Sequence, residues 1–238
     1  MSLLTITQEF CRRTGLSVPL IVSTSQDDQY LQIMGLLNEV LDDICIRQLW
    51  PVLQYETTFT SVATESQIVL ETVSPGFQSI LFDTVYDRTR KLPVFGPRGA
   101  DYWQQQKALP FTGPYYQYRI EQGELKILPV MVAGHSMAYE YQSTFAVVPS
   151  LTPTVPKIWF TLDDDTCKFS DPLLLAGLRW RWKKEKGFRY DADFQTFETM
   201  ISNMAGRDSS KGELRLDGTN ANGPNPGIFI PAGNWNLP

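Results

Sequence analysis

The stretch DPLLLAGLRWRWKKEKG, residues 171–187, carries the clearest helical signal in the chain. Asp171 is suited to cap a helix N-terminus, and Pro172 is suited to its first position. Large apolar side chains then recur on two neighbouring helical faces: Leu174, Leu178 and Trp182 on one, and Leu173, Ala176 and Trp180 on the other. Gly187 is placed to end this helix.

The segment that follows predicts a second helix packed against the first. It begins at Asp191, and its apolar residues are spaced by three, four and three positions: Phe194, Phe197, Ile201 and Met204. That spacing puts them on one face of a helix. The two segments together predict an αα-hairpin.

The N-terminal part is also predicted to be helical. Its first segment has helical spacing, with one apolar face formed by Ile6, Phe10 and Cys11. Gly15 is placed to end this helix. Residues 25–28, SQDD, have the form of a capping box before a broad apolar stripe. That stripe comprises Tyr30, Met34, Leu37, Leu41 and Ile44, and Pro51 should stop its helix after Trp50. The polar face, with Glu39, Asp42, Asp43 and Arg47, is interpreted as a solvated surface.

The middle of the chain, about residues 55–145, alternates with a period of two instead. Tyr55, Thr57 and Phe59 face one way while the residues between them face the other. Similar alternation follows from residue 116 and from residue 137, and Gln122-Gly123 is typical of a hairpin turn. These patterns predict half-buried antiparallel strands in a β-sandwich or small barrel, interrupted by one short helix near residues 100–109. A short strand is also expected around Trp159-Phe160.

The predicted fold class is α+β, with four parts. Residues 1–54 form an N-terminal helical part, and residues 55–160 an antiparallel β domain. Residues 161–205 form an α-hairpin that packs on the N-terminal helices into a bundle, and residues 206–238 form an extended arm. Of the 33 arm residues, 15 are Gly, Pro or Asn, so we expect no core there. Its apolar residues are interpreted as anchors of an arm that docks on a partner protein or a neighbouring subunit: Leu214, Leu216, Ile228, Phe229, Ile230 and Trp235.

Composition excludes several function classes. The 238 residues carry a net charge of −5, so the whole chain is not a basic nucleic-acid binder. One histidine and three separated cysteines do not suit a metal centre of His or Cys ligands or a disulfide scaffold. No apolar run is long enough to span a bilayer, and the N-terminus does not resemble a signal peptide. We therefore expect no membrane anchor, and assembly in a reducing cytoplasm.

Three features could carry chemistry, and each has a simpler interpretation. Asp163, Asp164 and Asp165 could bind a divalent cation, but consecutive side chains diverge and a solvated turn before a helix is favoured. His135 is the only histidine, and no nucleophile elbow accompanies a serine, so a structural or exposed role is favoured. Residues 96–99, GPRG, match no phosphate-binding motif and suit a loop into the short helix. We predict no catalytic residues, no metal and no cofactor.

The helix of residues 171–187 also contains the one basic cluster interleaved with aromatics. Residues 173–190 have a net charge of +5. The key side chains are Arg179, Trp180, Arg181 and Trp182. They could track phosphates and stack on bases, they could pack within the helical bundle, or they could form a subunit interface. Packing and an interface are compatible with each other and are favoured over nucleic-acid binding.

Several segments resemble the head-to-tail adaptor (connector) proteins of tailed bacteriophages, of the tail tubular protein A type. The similar segments are residues 4–16, LTITQEFCRRTGL; residues 86–94, YDRTRKLPV, with Gly96-Pro97 and Tyr102-Trp103; residues 118–141; and DDDT at 163–166 followed by residues 173–190. Their order and spacing carry the resemblance, which covers roughly residues 3–205. The Gly/Asn/Pro-rich end departs from the family's pattern.

The resemblance implies a structural virion protein. Such adaptors form a ring, usually twelvefold, beneath the portal, where the ring extends the DNA channel, helps retain the genome and attaches the tail. The implied partners are the portal protein, a tail or nozzle protein and further copies of the chain, with genomic DNA passing through unrecognised. The implied location is the virion neck. The alternatives are a tail-completion or tail-terminator protein, a nucleic-acid-binding module that would use the basic helix, and a hydrolase that would use His135 or residues 163–165.

Overall fold

The structure, a computed structural model, describes residues 1–108, 113, 115–151 and 156–208. Its α-helices are α1 (Leu3–Thr14), α2 (Asp28–Arg47), α3 (Leu70–Val73), α4 (Ala100–Ala108), α5 (Asp171–Glu185) and α6 (Asp191–Asp208). Its strands are β1 (Gln54–Thr60), β2 (Ser66–Val69), β3 (Phe77–Ile80), β4 (Tyr86–Asp87), β5 (Leu92–Pro93), β6 (Gln117–Glu121), β7 (Glu124–Leu128), β8 (Ser136–Ser143), β9 (Val147–Val148) and β10 (Thr166–Cys167). A 3₁₀ turn, Pro51–Leu53, links α2 to β1.

Strand β8 organises the larger of the sheets. It pairs antiparallel with β1 along one edge, from Gln54 opposite Gln142 to Thr60 opposite Ser136. Its other edge is shared by β3 and β4, and β5 pairs with β4. A second antiparallel sheet has the order β2-β7-β6, in which β6 and β7 form the hairpin predicted at Gln122-Gly123. Both turn residues have positive φ, as a tight two-residue turn requires.

Residues from both sheets meet in one apolar core. Tyr139 and Met137 of β8 contribute from the larger sheet, and Leu125, Ile127 and Tyr118 contribute from the smaller one; each of these side chains is at most 1% exposed. The predicted alternation follows from this geometry, since Tyr55, Thr57 and Phe59 are more buried than the residues between them. The described strands form a sandwich and do not close into a barrel.

The N- and C-terminal helices share a second core, as predicted. Helix α5 contacts α1, α2 and α6, and α2 also contacts α1. The side chains of this core are buried along all four helices; among them are Ile6, Phe10, Ile33, Leu37, Leu41, Ile44, Leu173, Leu174, Leu178 and Phe197. The fold class is therefore α+β, a helical bundle joined to an antiparallel sandwich.

The two cores meet near the end of β8. Trp50 is fully buried, donates from Nε1 to the Ile44 carbonyl oxygen at 2.7 Å, and packs edge-on against Phe169 with ring centroids 5.3 Å apart. Lys168 donates from Nζ to the Phe145 carbonyl oxygen at 2.8 Å and to the Tyr55 hydroxyl. Tyr55 packs on the sandwich core, so Lys168 ties that core to the helical bundle.

Several expected boundaries are wrong. Helix α5 is preceded by Ser170, so Asp171 is its first residue and does not cap it. Asp27, not Ser25, caps α2 by accepting from the Gln29 N–H at 2.9 Å. Helix α2 ends at Arg47, before the position at which Pro51 forces a stop.

Two further expectations are wrong. Residues 159–160 form no strand, because Trp159 and Phe160 bond to α2 side chains instead of a β partner. Helix α6 continues through residues 206–208, which were expected to begin the arm, because Gly206 does not interrupt its backbone hydrogen bonds.

Candidate docking surface

Three basic side chains of α5 are paired with carboxylates of neighbouring helices: Arg179, Arg181 and Lys183. Arg181 donates from Nη1 to Glu39 Oε2 at 3.0 Å, and its Nη2 lies 3.1 Å from Asp43 Oδ2. Both carboxylates belong to the polar face of α2, which was expected to be a solvated surface. That expectation is wrong in part, because this face is the electrostatic partner of α5.

Helix α6 supplies the carboxylate that pairs with two more of these basic side chains. Asp193 accepts from Arg179 Nε at 3.0 Å and also pairs with Lys183. Arg47 bridges α2 and α6 by bonding Asp43 at 3.0 Å and Glu198 at 2.5 Å. The hydrogen bonds that Arg47 donates to Asp43 and Glu198 outweigh its burial and raise the pKa of its guanidinium, so it remains charged. Arg179, Arg181 and Lys183 are thus paired with carboxylates within the bundle, whereas Lys184 lies over the Trp180 ring and Lys186 bonds the neutral Gln32.

The two tryptophans of α5 pack inside the bundle. Trp180 is 7% exposed and has Tyr190, Phe194 and Phe197 around its ring, the nearest centroid at 5.2 Å. Trp182 is half-buried between Phe10, at 5.9 Å, and Phe188, also at 5.9 Å. Neither ring is free to stack on a base in this arrangement.

A groove runs along the outer side of the bundle, where α1, α5 and α6 meet. Its cavity volume is about 220 Å³. The lining residues come from all three helices: Phe10, Arg13, Thr14, Pro172, Leu175, Ala176, Arg179, Thr196 and Met200. Arg179 is the one predicted site residue in this groove. The rest were missed, since a groove between three helices has no signature in any one of them.

The acidic triplet has a structural role. Asp163 accepts from the backbone N–H groups of Val22 and Ser23 through Oδ1, at 3.1 and 2.8 Å, and so fixes the loop before α2. Asp165 is fully buried, and its Oδ2 accepts from the Thr161 and Leu162 N–H groups and from Lys157 Nζ. Asp164 alone is exposed. The solvated turn predicted here is therefore wrong for two of its three carboxylates.

His135 is placed by structural contacts at the entry to β8. Its Nδ1 lies 2.9 Å from Oδ2 of the fully buried Asp87, and its backbone N–H donates to Ser61 Oγ at 2.9 Å. Asp87 also accepts from the backbone N–H groups of Thr89 and Arg90, both at 3.0 Å. Ser61 Oγ meets the backbone of His135 and donates to the Val132 carbonyl oxygen at 2.7 Å. These contacts hold a loop, as the structural interpretation of His135 expects.

The loop at residues 96–99 leads into α4, as predicted. The Arg98 N–H donates to the Tyr118 carbonyl oxygen at 3.0 Å, so this backbone donor of the loop is not available to an anion. A Cβ on Gly96 would lie 2.5 Å from that same oxygen, which explains why glycine stands at this close approach. The loop packs on β6 and presents no cradle for an anion.

Among residues 1–108, 113, 115–151 and 156–208, no three His, Cys, Asp or Glu side chains are grouped so that they could hold a metal ion. Over the same part of the chain, no helix has both the length and the apolarity needed to cross a membrane. The three cysteines carry free thiols, and burial raises the pKa of Cys45 to about 12.

The predicted anchors of the C-terminal arm all fall outside the described residues. They are Leu214, Leu216, Ile228, Phe229, Ile230 and Trp235. Their docking role therefore stays a prediction. The interface role of Arg179, Trp180, Arg181 and Trp182 also stays a prediction, since their contacts described above lie within one chain.

Fold and surface together describe a helical bundle joined to an antiparallel sandwich, with a groove of about 220 Å³ on the outer side of the bundle. The comparison with protein families then places it: residues 1–224 match the family model described as SU10 adaptor protein, and the chain belongs to that family. The resemblance to phage head-to-tail adaptors is thereby confirmed at the family level. A bacteriophage adaptor is a structural virion component, which supports a non-enzymatic role. No curated protein matches the chain.

Proposed function

We propose that the chain is a head-to-tail adaptor that forms a twelvefold ring beneath the portal of a tailed phage. The ring extends the DNA channel, helps retain the packaged genome and receives the tail or nozzle protein. Its copies assemble in the host cytoplasm and end in the virion neck. The observation that carries the proposal is the match to the adaptor family along residues 1–224.

The charge distribution supports a channel that lets DNA slide. Proteins that bind DNA neutralise phosphates with free Lys and Arg side chains. Here Arg181 and Lys183 bond to carboxylates on α2 and α6. The whole chain carries a net charge of −5, which opposes tight binding to a polyanion. Genomic DNA is therefore a passing cargo and not a specifically bound ligand.

The C-terminal residues support attachment to the portal. Residues 218–238 contain no charged side chain and hold the apolar groups Ile228, Phe229, Ile230 and Trp235. A β-branched and aromatic run such as IFI suits addition to the edge of a partner's sheet. Heterologous contacts between neighbouring copies generate a closed ring.

Binding to purified portal rings of the same phage tests this proposal. The variant replaces Ile228, Phe229 and Ile230 by Asn, and the control replaces Asn220 and Asn222 by Ala in the same segment. We expect the first variant to lose portal binding at an unchanged melting temperature, while the control binds like the wild type. Electron microscopy of wild-type complexes should show twelve copies beneath the portal. Equal affinity of both variants, or no ring on the portal, would overturn the proposal.

A further inference from the structure

The groove between α1, α5 and α6 has an apolar floor and few free polar groups. Phe10, Leu175 and Met200 contribute apolar surface. The two threonines in the lining already donate their hydroxyls within their own helices, Thr14 to the Phe10 carbonyl at 2.9 Å and Thr196 to the Ala192 carbonyl at 2.8 Å. The groove therefore offers apolar contact, and its two threonine hydroxyls are left as acceptors only.

Two arginines supply the remaining polar capacity at the rim. Arg13 uses Nε to bond Glu9 at 2.8 Å, and Arg179 uses Nε to bond Asp193 at 3.0 Å. A guanidinium has five N–H donors in a planar fork that matches a carboxylate. Both side chains are more than half exposed, so their terminal nitrogens can reach a ligand. The matching ligand has apolar side chains between two carboxylates.

The chain itself contains such a segment close after α6. Within residues 209–238 the only acidic side chains are Glu213 and Asp217, and between them lie Leu214, Arg215 and Leu216. The other apolar residues of this region, from Ile228 onward, have no carboxylate near them. With Arg215 between them, residues 213–217 carry a net charge of −1. They are the one segment of residues 209–238 in which carboxylates flank apolar side chains, and this selects Glu213–Asp217 as the occupant.

The segment can reach the groove of its own chain. Helix α6 ends at Asp208, and Met200, in the groove lining, lies eight residues earlier, about 12 Å along the helix. The five residues from Asp208 to Glu213 span up to about 17 Å when extended. A linker this short gives an effective concentration of about millimolar order, which favours the intramolecular contact over one with a second copy.

We propose that residues 213–217 dock in the groove of the same chain. Leu214 and Leu216 cover the floor, and Glu213 and Asp217 pair with the rim arginines. The contact refines the proposed docking role of the C-terminal residues. Leu214 and Leu216 then bind within the chain, and the anchors proposed to bind the portal are Ile228, Phe229, Ile230 and Trp235. The contact requires neither a ring nor a portal.

Disulfide trapping in the full-length protein tests the contact without any partner. The variant carries Thr196→Cys and Leu216→Cys, and the control carries Thr196→Cys with Asn234→Cys. We expect the 196–216 disulfide to form within one chain much faster than the control pair, as seen by mass spectrometry of nonreduced peptides. The unaltered protein, with Cys11, Cys45 and Cys167, gives the background.

The charge requirement is tested in the same assay. Adding Arg13→Glu and Arg179→Glu should slow trapping about fivefold, and adding Glu213→Arg and Asp217→Arg as well should restore it. Trapping between chains instead of within one would overturn the intramolecular contact in favour of a second copy. A rate that is unaffected by the charge changes, or equal to that of the control pair, would also overturn it. Loss of portal binding with normal trapping would concern the proposed function alone.

Discussion

Asp165 is a single side chain that holds a loop in place, although three consecutive aspartates predict a solvated turn there. Its carboxylate is fully buried, and one oxygen accepts from two backbone N–H groups, at 2.8 and 2.7 Å, and from Lys157 at 2.6 Å. Burial would raise the pKa of Asp165, but the hydrogen bonds from Lys157, Thr161 and Leu162 outweigh it and hold the pKa below its ordinary value. The ionised form therefore stabilises the fold.

Replacing Asp165 by Asn should lower the free energy of unfolding by roughly 3 kcal/mol at neutral pH, because Lys157 and two N–H groups lose an ionised acceptor. The loss should depend on pH. A carboxyl whose folded-state pKa is lowered stabilises fully above its unfolded-state pKa of about 3.9, and that stability disappears as pH falls through the lower folded-state pKa. Urea unfolding of wild type and variant between pH 3 and 7 measures the difference.

Asp164→Asn is the matched control for this measurement, since Asp164 is the exposed neighbour. It should change the free energy of unfolding by less than about 0.5 kcal/mol. A difference between wild type and Asp165→Asn that stayed constant down to pH 3 would contradict the role assigned to the ionised carboxylate. The sequence could not separate these two residues, because their burial depends on Lys157 and on a loop fold that no local pattern encodes.

At the scale of elements, Gly177 sets how closely α5 can approach its neighbours. A Cβ at this position would lie 2.5 Å from Val40 Cγ1 on α2 and 3.0 Å from Phe197 Cε2 on α6. Gly177 is buried in the middle of α5, where glycine ordinarily weakens a helix relative to alanine. Its place is therefore explained by the packing of three helices.

Gly177→Ala should destabilise the protein by about 1–3 kcal/mol, because overpacking against Val40 outweighs the gain in helix propensity. The control is Gly35→Ala in α2, where a Cβ meets nothing within 4 Å. That change should stabilise by about 0.5–1 kcal/mol. Thermal and urea unfolding compare the two. A stabilised Gly177→Ala variant would show that the helices separate without cost.

Elements with strong local signals were predictable, and those that depend on distant partners were not. The Gln122-Gly123 turn and the αα-hairpin follow from turn chemistry and helical spacing, and both are present. The strand expected at Trp159-Phe160 is wrong because these residues bond to Asp42 and Asn38 on α2, more than a hundred residues away. The groove has the same origin: Phe10, Leu175 and Met200 belong to three helices whose crossing no single periodicity reveals.

At the scale of the whole molecule, the helical bundle and the sandwich are joined by few but buried contacts. Lys168 lies at the centre of this joint: its Nζ bonds the Phe145 carbonyl oxygen at 2.8 Å and sits 4.8 Å from the centroid of the Tyr55 ring. Its neighbour Phe169 packs on Trp50 in the helical core. Lys168 therefore contacts both the Phe145 carbonyl oxygen and the Tyr55 ring on the sandwich side.

Lys168→Met should uncouple the two units. The change leaves the Phe145 carbonyl and the Tyr55 hydroxyl without their donor, which costs about 1–3 kcal/mol at the joint while both cores keep their side chains. Hydrogen exchange followed by mass spectrometry in rising urea should then show α2 and α5 opening at a different midpoint from β1 and β8. In the wild type the midpoints should coincide. Lys186→Met is the control, because Lys186 is exposed and bonds Gln32 within the bundle, at 2.8 Å. Coincident midpoints in Lys168→Met would mean that apolar contacts around Trp50 alone make the two units unfold as one.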